Sequence, residues 1–385
     1  MAAPARDGIE DRERYSRQVL FAGIGERGQQ RLGTAHAVMV GVGATGAATA
    51  GLLARAGVGR LTLIDRDFVE PSNLQRQMLF DEDDARHCLP KAEAARRHLE
   101  RINSSVRVQA RIADLVPDNV EELLRDADVV LDGTDNFETR YLINDFCVRD
   151  GVPWIYAAAV GATAATMNIL PKEGLGFRVQ GLENGQATSA EPHSVPWTLN
   201  PKPFLPTACL ACIFPAAPGG DAETCDTAGI LATAVNLAAS VQATEALKLL
   251  TGQPELLRRS LLSFDLWTPA SGGRLAQSEI VTGSPRVDCE VCGGRIFRAL
   301  AGEGRPHITL CGRNAVQIHE HHRTVDLAAL SERLAPLGEV RANGLLLRFE
   351  RPPYTLTVFP DGRALVQGTT DTGLARSLYA RYLGA

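Results

Sequence analysis

Short apolar runs alternate with helically spaced apolar positions through the first 150 residues, and this alternation predicts the elements. Residues 9–33 mix charged and apolar side chains at helical spacing. The apolar run at 37–42 predicts a strand, the small-residue stretch at about 44–56 a helix, and residues 61–65 a second strand. Helices are expected at 90–102, 118–125 and 138–150, and strands at 106–112 and 127–132. Strands alternating with helices imply an α/β fold with a mostly parallel sheet, whose ligand site lies beyond the carboxyl ends of the strands. Asp65 and the turn Asp132-Gly133-Thr134-Asp135-Asn136 both fall at such ends, which assigns them to one site.

Beyond residue 170 the pattern changes. Residues 171–226 are rich in Pro, Gly, Asn and Ser with little periodicity, and a loop of that length in a folded domain is functional or mobile as a rule. Helical spacing resumes at 228–250, a strand is expected at 261–267, and a second Gly/Pro-rich stretch, 271–285, leads to Cys289. From about 295 onward short strands at 307–311, 345–349 and 354–359 and helices at 326–335 and 371–383 predict a small α+β appendage. The expected organisation is a nucleotide-type domain over 1–294 and a small domain over 295–385.

Composition narrows the function. The chain has 385 residues and a formal net charge of −5, which opposes a nucleic-acid or anionic-membrane surface as its main partner. Residues 1–17 are polar and charged, unlike a signal peptide, and no apolar run approaches the roughly 20 residues that cross a bilayer. Eight cysteines in such a chain point to metal or catalysis rather than to a disulfide framework. The expected location is the cytoplasm.

The candidate chemistry begins at Gly41-Val42-Gly43-Ala44-Thr45-Gly46. Glycines after a strand and before a helix, with Asp65 downstream, form a Rossmann-like nucleotide fingerprint: backbone approach to phosphate, a helix N-terminus facing the anion, and an acid for the ribose. Asn73-Leu74-Gln75-Arg76-Gln77 follows, and then Lys91. Arg76 and Lys91 suit a solvated helix face, or else bidentate and point-charge contacts to phosphate that neutralise charge on an α-phosphate and a departing pyrophosphate. Asp135 reads either as the N-cap of the 138–150 helix or as a Mg²⁺ ligand.

Cys209-x-x-Cys212 and Cys289-x-x-Cys292 supply the four soft ligands of a tetrahedral Zn²⁺, with a redox dithiol as the competing reading for either pair. A closed site of this kind has an architectural role. Cys225 stands just before a helix, where the dipole lowers a thiol pKa, so it reads as an inert cysteine or as a nucleophile. Cys311 falls in an apolar run, Cys88 and Cys147 fall on helices, and the clustered His319, His321 and His322 read as a surface turn, with metal binding as the competing reading.

Together with Arg14-Tyr15-Ser16-Arg17-Gln18, Pro90-Lys91 and Cys225 before Ala228-Gly229-Ile230-Leu231, these motifs occur in an order that resembles the MoeB/ThiF family of ubiquitin-activating-type adenylyltransferases over roughly residues 10–295. The resemblance implies Mg-ATP-dependent adenylylation of the C-terminal glycine carboxylate of a small ubiquitin-like sulfur carrier protein ending in Gly-Gly. By match, Gly41, Gly43, Gly46 and Asp65 would hold the nucleotide, and Asn73, Arg76, Gln77 and Lys91 its phosphates. Asp135 would hold Mg²⁺ with Asn136 beside it, and Arg17 would reach into a partner's site across a homodimer. A separate sulfurtransferase is a further implied partner, and the role of the Cys225 position varies among members. The 295–385 segment lacks a rhodanese-type loop and resembles the short extension of some bacterial members, including Phe359-Pro360-Asp361-Gly362-Arg363-Ala364. No general base is needed, because the attacking carboxylate is already ionised at neutral pH. Three other readings compete. The glycine loop with Asp65 alone suits a nicotinamide-dependent oxidoreductase. A related ATP-dependent tRNA-modifying dehydratase is opposed by the acidic charge and the lack of a basic tail. A non-catalytic binding module is opposed by the intact Arg76, Lys91 and Asp135 set.

Overall fold

The computed structural model describes residues 11–172, 205–216, 227–303, 308–311, 315–318 and 324–384. In chain order the first elements are α1 (Asp11–Arg14), α2 (Ser16–Val19), α3 (Gly25–Thr34), β1 (His36–Val40), α4 (Ala44–Ala56), β2 (Arg60–Asp65), α5 (Glu82–Arg86), α6 (Lys91–Ile102) and β3 (Arg107–Ile112). They continue with α7 (Pro117–Leu124), β4 (Val129–Asp132), α8 (Phe137–Asp150), β5 (Trp154–Val160), β6 (Thr163–Ile169), α9 (Leu210–Ile213), α10 (Ala232–Leu250), β7 (Ser260–Ala270) and β8 (Arg274–Val281). The last are β9 (Ile308–Cys311), β10 (Ala315–Ile318), α11 (Leu327–Leu334), β11 (Glu339–Ala342), β12 (Leu347–Arg351), β13 (Tyr354–Val358), β14 (Ala364–Gln367) and α12 (Thr372–Leu383).

The chain divides into two units. The first comprises Met1–Arg66, Ser72–Phe80 and Lys91–Glu303, and the second Asp67–Pro71, Asp81–Pro90 and Gly304–Ala385. In the first, eight strands form one sheet in the order β3-β2-β1-β4-β5-β6-β7-β8. The pairings from β3 to β5 are parallel and those from β5 to β8 antiparallel. All five residues of β1 are buried, as expected of a parallel strand with both faces covered. The reversal of strand order between β1 and β4 puts a crevice at their carboxyl ends, where open α/β sheets bind ligands. Helix α4 stops at Gly57, which takes φ +81° so that its N–H meets the Ala54 carbonyl while Val58 bonds back to Leu53.

The early elements fall where the periodicity predicts them, α4 and α6 within a residue of expectation. The antiparallel half was less legible. Residues 154–169 form a hairpin, β5 and β6, that the sequence analysis does not predict, because a stretch this rich in Ala has weak strand propensity and is held by its neighbours. The Gly/Pro-rich stretch 271–285 contains the edge strand β8, paired along β7 from Ser260↔Val281 onward. Helix α10 starts at Ala232 rather than 228, because Gly161 bonds to both Gly229 and Leu231 and holds that segment extended.

The second unit is a six-stranded antiparallel sheet, β11-β12-β13-β14-β10-β9. Val316, Phe349, Leu356, Val358 and Val366 of the sheet and Leu330, Leu334, Leu378, Tyr379 and Tyr382 of α11 and α12 form its core. Asp326 and Asp371 cap the two helices. The segment 359–364 is the tight turn between β13 and β14. There Arg363 Nε donates to Asp361 Oδ2 at 2.6 Å, its guanidinium lies 4.6 Å from the Phe359 ring centroid, and Tyr379 Oη donates to the Gly362 carbonyl.

Candidate functional site

The sheet crevice is built from backbone packed too closely for side chains. Gly41 has φ +82°, and a Cβ there would lie 2.7 Å from the Gly133 carbonyl atoms. A Cβ on Gly46 would lie 1.9 Å from the Gly41 carbonyl oxygen, and one on Gly133 would lie 2.3 Å from the same oxygen. The glycine loop after β1 and the turn after β4 are therefore in direct backbone contact. Asp65, at the end of β2, accepts the Val42 N–H at 2.6 Å through Oδ2, which ties the third strand end to the same loop. Gly43 precedes α4, so that helix's N-terminal N–H groups and positive dipole face the crevice.

Gln77 approaches from the 72–80 segment: a Cβ on Gly43 would lie 3.9 Å from Gln77 Nε2. Gln77 is 3% exposed, and its Oε1 has no hydrogen-bond partner among the described residues. A half-turn of the amide exchanges donor and acceptor, so this buried group has capacity for a ligand beside the glycine loop. The Asn73 carbonyl accepts the N–H groups of Arg76 and Gln77, making a compact turn. Asn73, Arg76 and Lys91 are all buried, with Arg76 Nη1 donating to the Ser72 carbonyl at 2.8 Å and Lys91 opening α6. Basic side chains with so little exposure do not form a solvated face.

At the turn after β4 the N-cap of α8 is Asn136, whose Oδ1 accepts the Thr139 N–H at 2.8 Å. Asp135 does not cap, which corrects the capping reading; its carboxylate is exposed, with the Asn136 amide 3.4 Å from Oδ1. An exposed carboxylate at a strand end beside a phosphate-type loop suits a hard divalent cation.

Behind this turn lies a support that the sequence analysis missed. Arg140 donates through Nε to Asp132 Oδ2 at 2.9 Å and through Nη2 to the Thr134 carbonyl at 2.6 Å. Its guanidinium stacks on Tyr156 at 4.9 Å and on Phe137 at 5.3 Å. Asp132 in turn accepts both the Thr134 N–H and hydroxyl. Burial pushes Asp132 above its ordinary carboxylate range, against the pull of Arg140; burial also works against Arg140's charge, but Asp132 holds it on. Gln242 of α10 donates to the carbonyls of Asp132 and Ile155 and accepts from Thr49. The one available signal for Arg140 was its position four residues after the helix cap, on the buried side.

The four cysteines of the two CxxC pairs converge. Cys209 and Cys212 Sγ lie 3.8 Å apart, Cys209 and Cys289 3.7 Å, and Cys212 and Cys292 3.3 Å. A tetrahedral ion about 2.3 Å from each sulfur sets sulfur–sulfur distances of about 3.8 Å. This geometry is compatible with zinc, and Cys88, Cys147, Cys209, Cys212, Cys289 and Cys292 are free thiols. The Cys212 thiol is held far below its ordinary range by hydrogen bonds from Cys209 and Cys292, while Cys209, the donor to Cys212, is pushed up. Four crowded thiols cannot all ionise without a cation. Arg17 is exposed on α2, which packs against α3. Cys225, His319, His321, His322 and most of the 171–226 loop lie outside the described residues.

A profile of the ThiF family matches residues 15–290. The chain is 42% identical to the sulfur carrier protein ThiS adenylyltransferase of Bacillus subtilis (strain 168), over 96% of this chain and 99% of that one. It is 34% identical to a sulfur carrier protein adenylyltransferase of Thermus thermophilus, over 74% of this chain and 92% of the relative. Among solved structures, E. coli MccB with ATP shares the fold at a TM-score of 0.54 and 23% identity, covering 73% of this chain and 74% of that one.

Proposed function

The chain belongs to the ThiF family, and from that membership we propose that it uses ATP to adenylate the C-terminal glycine carboxylate of a small ubiquitin-like sulfur carrier protein. It is an adenylyltransferase. The observation that carries this reading into chemistry is the backbone contact between Gly41 and Gly133, which joins a phosphate-type loop to the turn bearing Asp135.

In this reading a carboxylate oxygen of the carrier attacks the α-phosphorus of ATP. The bond from that phosphorus to the bridging oxygen breaks, and pyrophosphate leaves with the electron pair. Two anions have to meet, so the protein's task is neutralisation and alignment rather than proton transfer. Backbone N–H groups of the glycine loop and α4 receive phosphate oxygens. Arg76 supplies a forked donor, Lys91 a point charge, and Asn73 and Gln77 amides. Asp65, held by Val42, is the ribose acid. Mg²⁺, when bound, neutralises phosphate oxygens, and Asp135 is the residue to hold it. Zn²⁺ in the Cys209, Cys212, Cys289 and Cys292 site is architectural, because four protein ligands leave no open position. The reading includes a homodimer in which Arg17 serves the partner's site, a separate sulfurtransferase, and a reducing cytoplasm that keeps the zinc thiols available.

Exchange of labelled pyrophosphate into ATP tests the function. Exchange is expected only when a Gly-Gly-ending carrier is present, and not when its last glycine is removed. Exchange without any carrier, or thermal stabilisation by NADH and not by ATP, counts against the proposal.

A further inference from the structure

The segment with Asn73, Arg76 and Gln77 belongs to the first unit, yet the stretches on either side of it, Asp67–Pro71 and Asp81–Pro90, belong to the second. Lys91 is the first residue after the later stretch. Each end of residues 72–80 is thus covalently continuous with chain built into the C-terminal unit.

Within that unit the two stretches form a closed neck. Phe68 and Pro90 make an antiparallel bridge, and the Val69 N–H donates to the Leu89 carbonyl at 2.8 Å. Asp81 and Asp84 form a reciprocal capping box on α5, and Leu89 bonds back to Asp84. Cys88 between them has φ +47°, a left-handed conformation that a side chain other than glycine adopts only when its surroundings impose it. Here the helix end itself sets that conformation, as Leu89 bonds back to Asp84 past the His87 cap, and Asn343, at the β11–β12 turn, braces it from the C-terminal sheet. Its Nδ2 donates to the carbonyls of His87 at 3.1 Å and Cys88 at 3.4 Å, while its Oδ1 accepts the N–H groups of Leu345 and Leu346. On the other limb of the neck, the Arg348 guanidinium lies 5.9 Å from the Phe68 ring centroid.

We propose that the C-terminal unit is a clamp for the phosphate-binding segment: by holding residues 67–71 and 81–90 closed, Asn343 and Arg348 fix the ends of the stretch that carries Asn73, Arg76 and Gln77, and the residue from which Lys91 follows. The proposal rests on the reading of those four residues as phosphate ligands. The physical ground is entropy. With the neck open, the whole span 67–90 samples many conformations; with it closed, only 72–80 has to be ordered around the nucleotide. Asn343 and Arg348 touch no reacting atom in this scheme, and they act as positioning residues.

The test separates donation from folding. Asn343→Asp keeps the oxygen that caps Leu345 and Leu346 and loses the donor to His87 and Cys88. Arg348→Met, the second variant, keeps a long stem against Phe68 and loses the guanidinium. In the full-length protein, hydrogen exchange of peptides covering 72–80 is expected to accelerate on the order of tenfold in both, with β12–β14 peptides unchanged, and the ATP KM to rise by roughly as much with a smaller change in kcat. Arg348→Lys is expected to recover part of the loss. Unchanged exchange over 72–80 in variants whose 81–90 peptides do exchange faster overturns the clamp, as does an unaltered ATP KM when 72–80 is loosened. The hydrogen-exchange result reads the clamp whether or not the wild type adenylates a carrier; absent pyrophosphate exchange in the wild type speaks only to the function.

Discussion

Asn136 takes the capping task that the sequence left open for Asp135. Asn136 caps α8, so Asp135 is exposed and structurally expendable. Asp135→Ala is therefore expected to leave the melting temperature unchanged and to lower pyrophosphate exchange by about 10²–10³-fold, the scale of losing a charge-stabilising group at the reacting phosphate. Near-normal exchange in that variant would remove Asp135 from the metal site. The glycine loop, Asp65, Asn73–Gln77 and Asp135 stood out in the sequence as candidates because their types and order are chemically specific. Arg140 was not, because a lone arginine in a helical stretch looks like surface until Asp132, Thr134 and two aromatic rings are brought around it.

At the scale of elements, α8 joins the crevice to the cysteine cluster. Its first turn follows Asp135, and in its third turn Asn144 accepts the Leu210 N–H at 2.8 Å while Asp145 accepts the N–H groups of Ala299 and Leu300. Arg295 donates to the carbonyls of Val148 and Arg149 at the helix end. Both limbs of the cysteine site are thus bonded to one helix. Removing the metal with a strong chelator is expected to lower stability by several kcal/mol and to release about one zinc per chain, measured by unfolding and by metal analysis. No loss of stability on chelation would leave the thiols without a structural ion. Burial raises Asp145 to about 6, although the Ala299 and Leu300 N–H groups favour its charge. The native state then binds more protons than the unfolded chain between about pH 4 and 6, so this group's penalty is absent below that window and complete above it. Asp145→Asn keeps an acceptor and removes the ionisation. The stability difference between variant and wild type is expected to shift in the variant's favour across that window, by at most about 3 kcal/mol. His36 runs the other way, lowered to about 4 by burial, so only the difference between the two proteins isolates Asp145. A flat difference from pH 4 to 6 would mean that Asp145 titrates normally.

For the whole molecule, the proposed two-fold dimer makes a complementation prediction. Arg17→Ala and Asp135→Ala are each expected to be nearly inactive, but co-refolded subunits place an intact Arg17 and an intact Asp135 at one site of each mixed dimer, restoring about a quarter of wild-type exchange by symmetry. No recovery on mixing would confine Arg17 to its own subunit. The sequence by itself determined which chemistry-bearing residues exist and on which side of the parallel strands they fall, because strand–turn–helix periodicity and glycine spacing are local properties of the chain. Tertiary structure alone decided the rest: that Gly41 meets Gly133, that Arg140 sits under the turn after β4, that Ala-rich residues 154–169 become strands, and that segments 67–71 and 81–90 fold with the C-terminal unit. Each depends on partners distant in sequence. Close packing and the need to satisfy buried polar groups select those partners, and neither leaves a period in the amino-acid pattern.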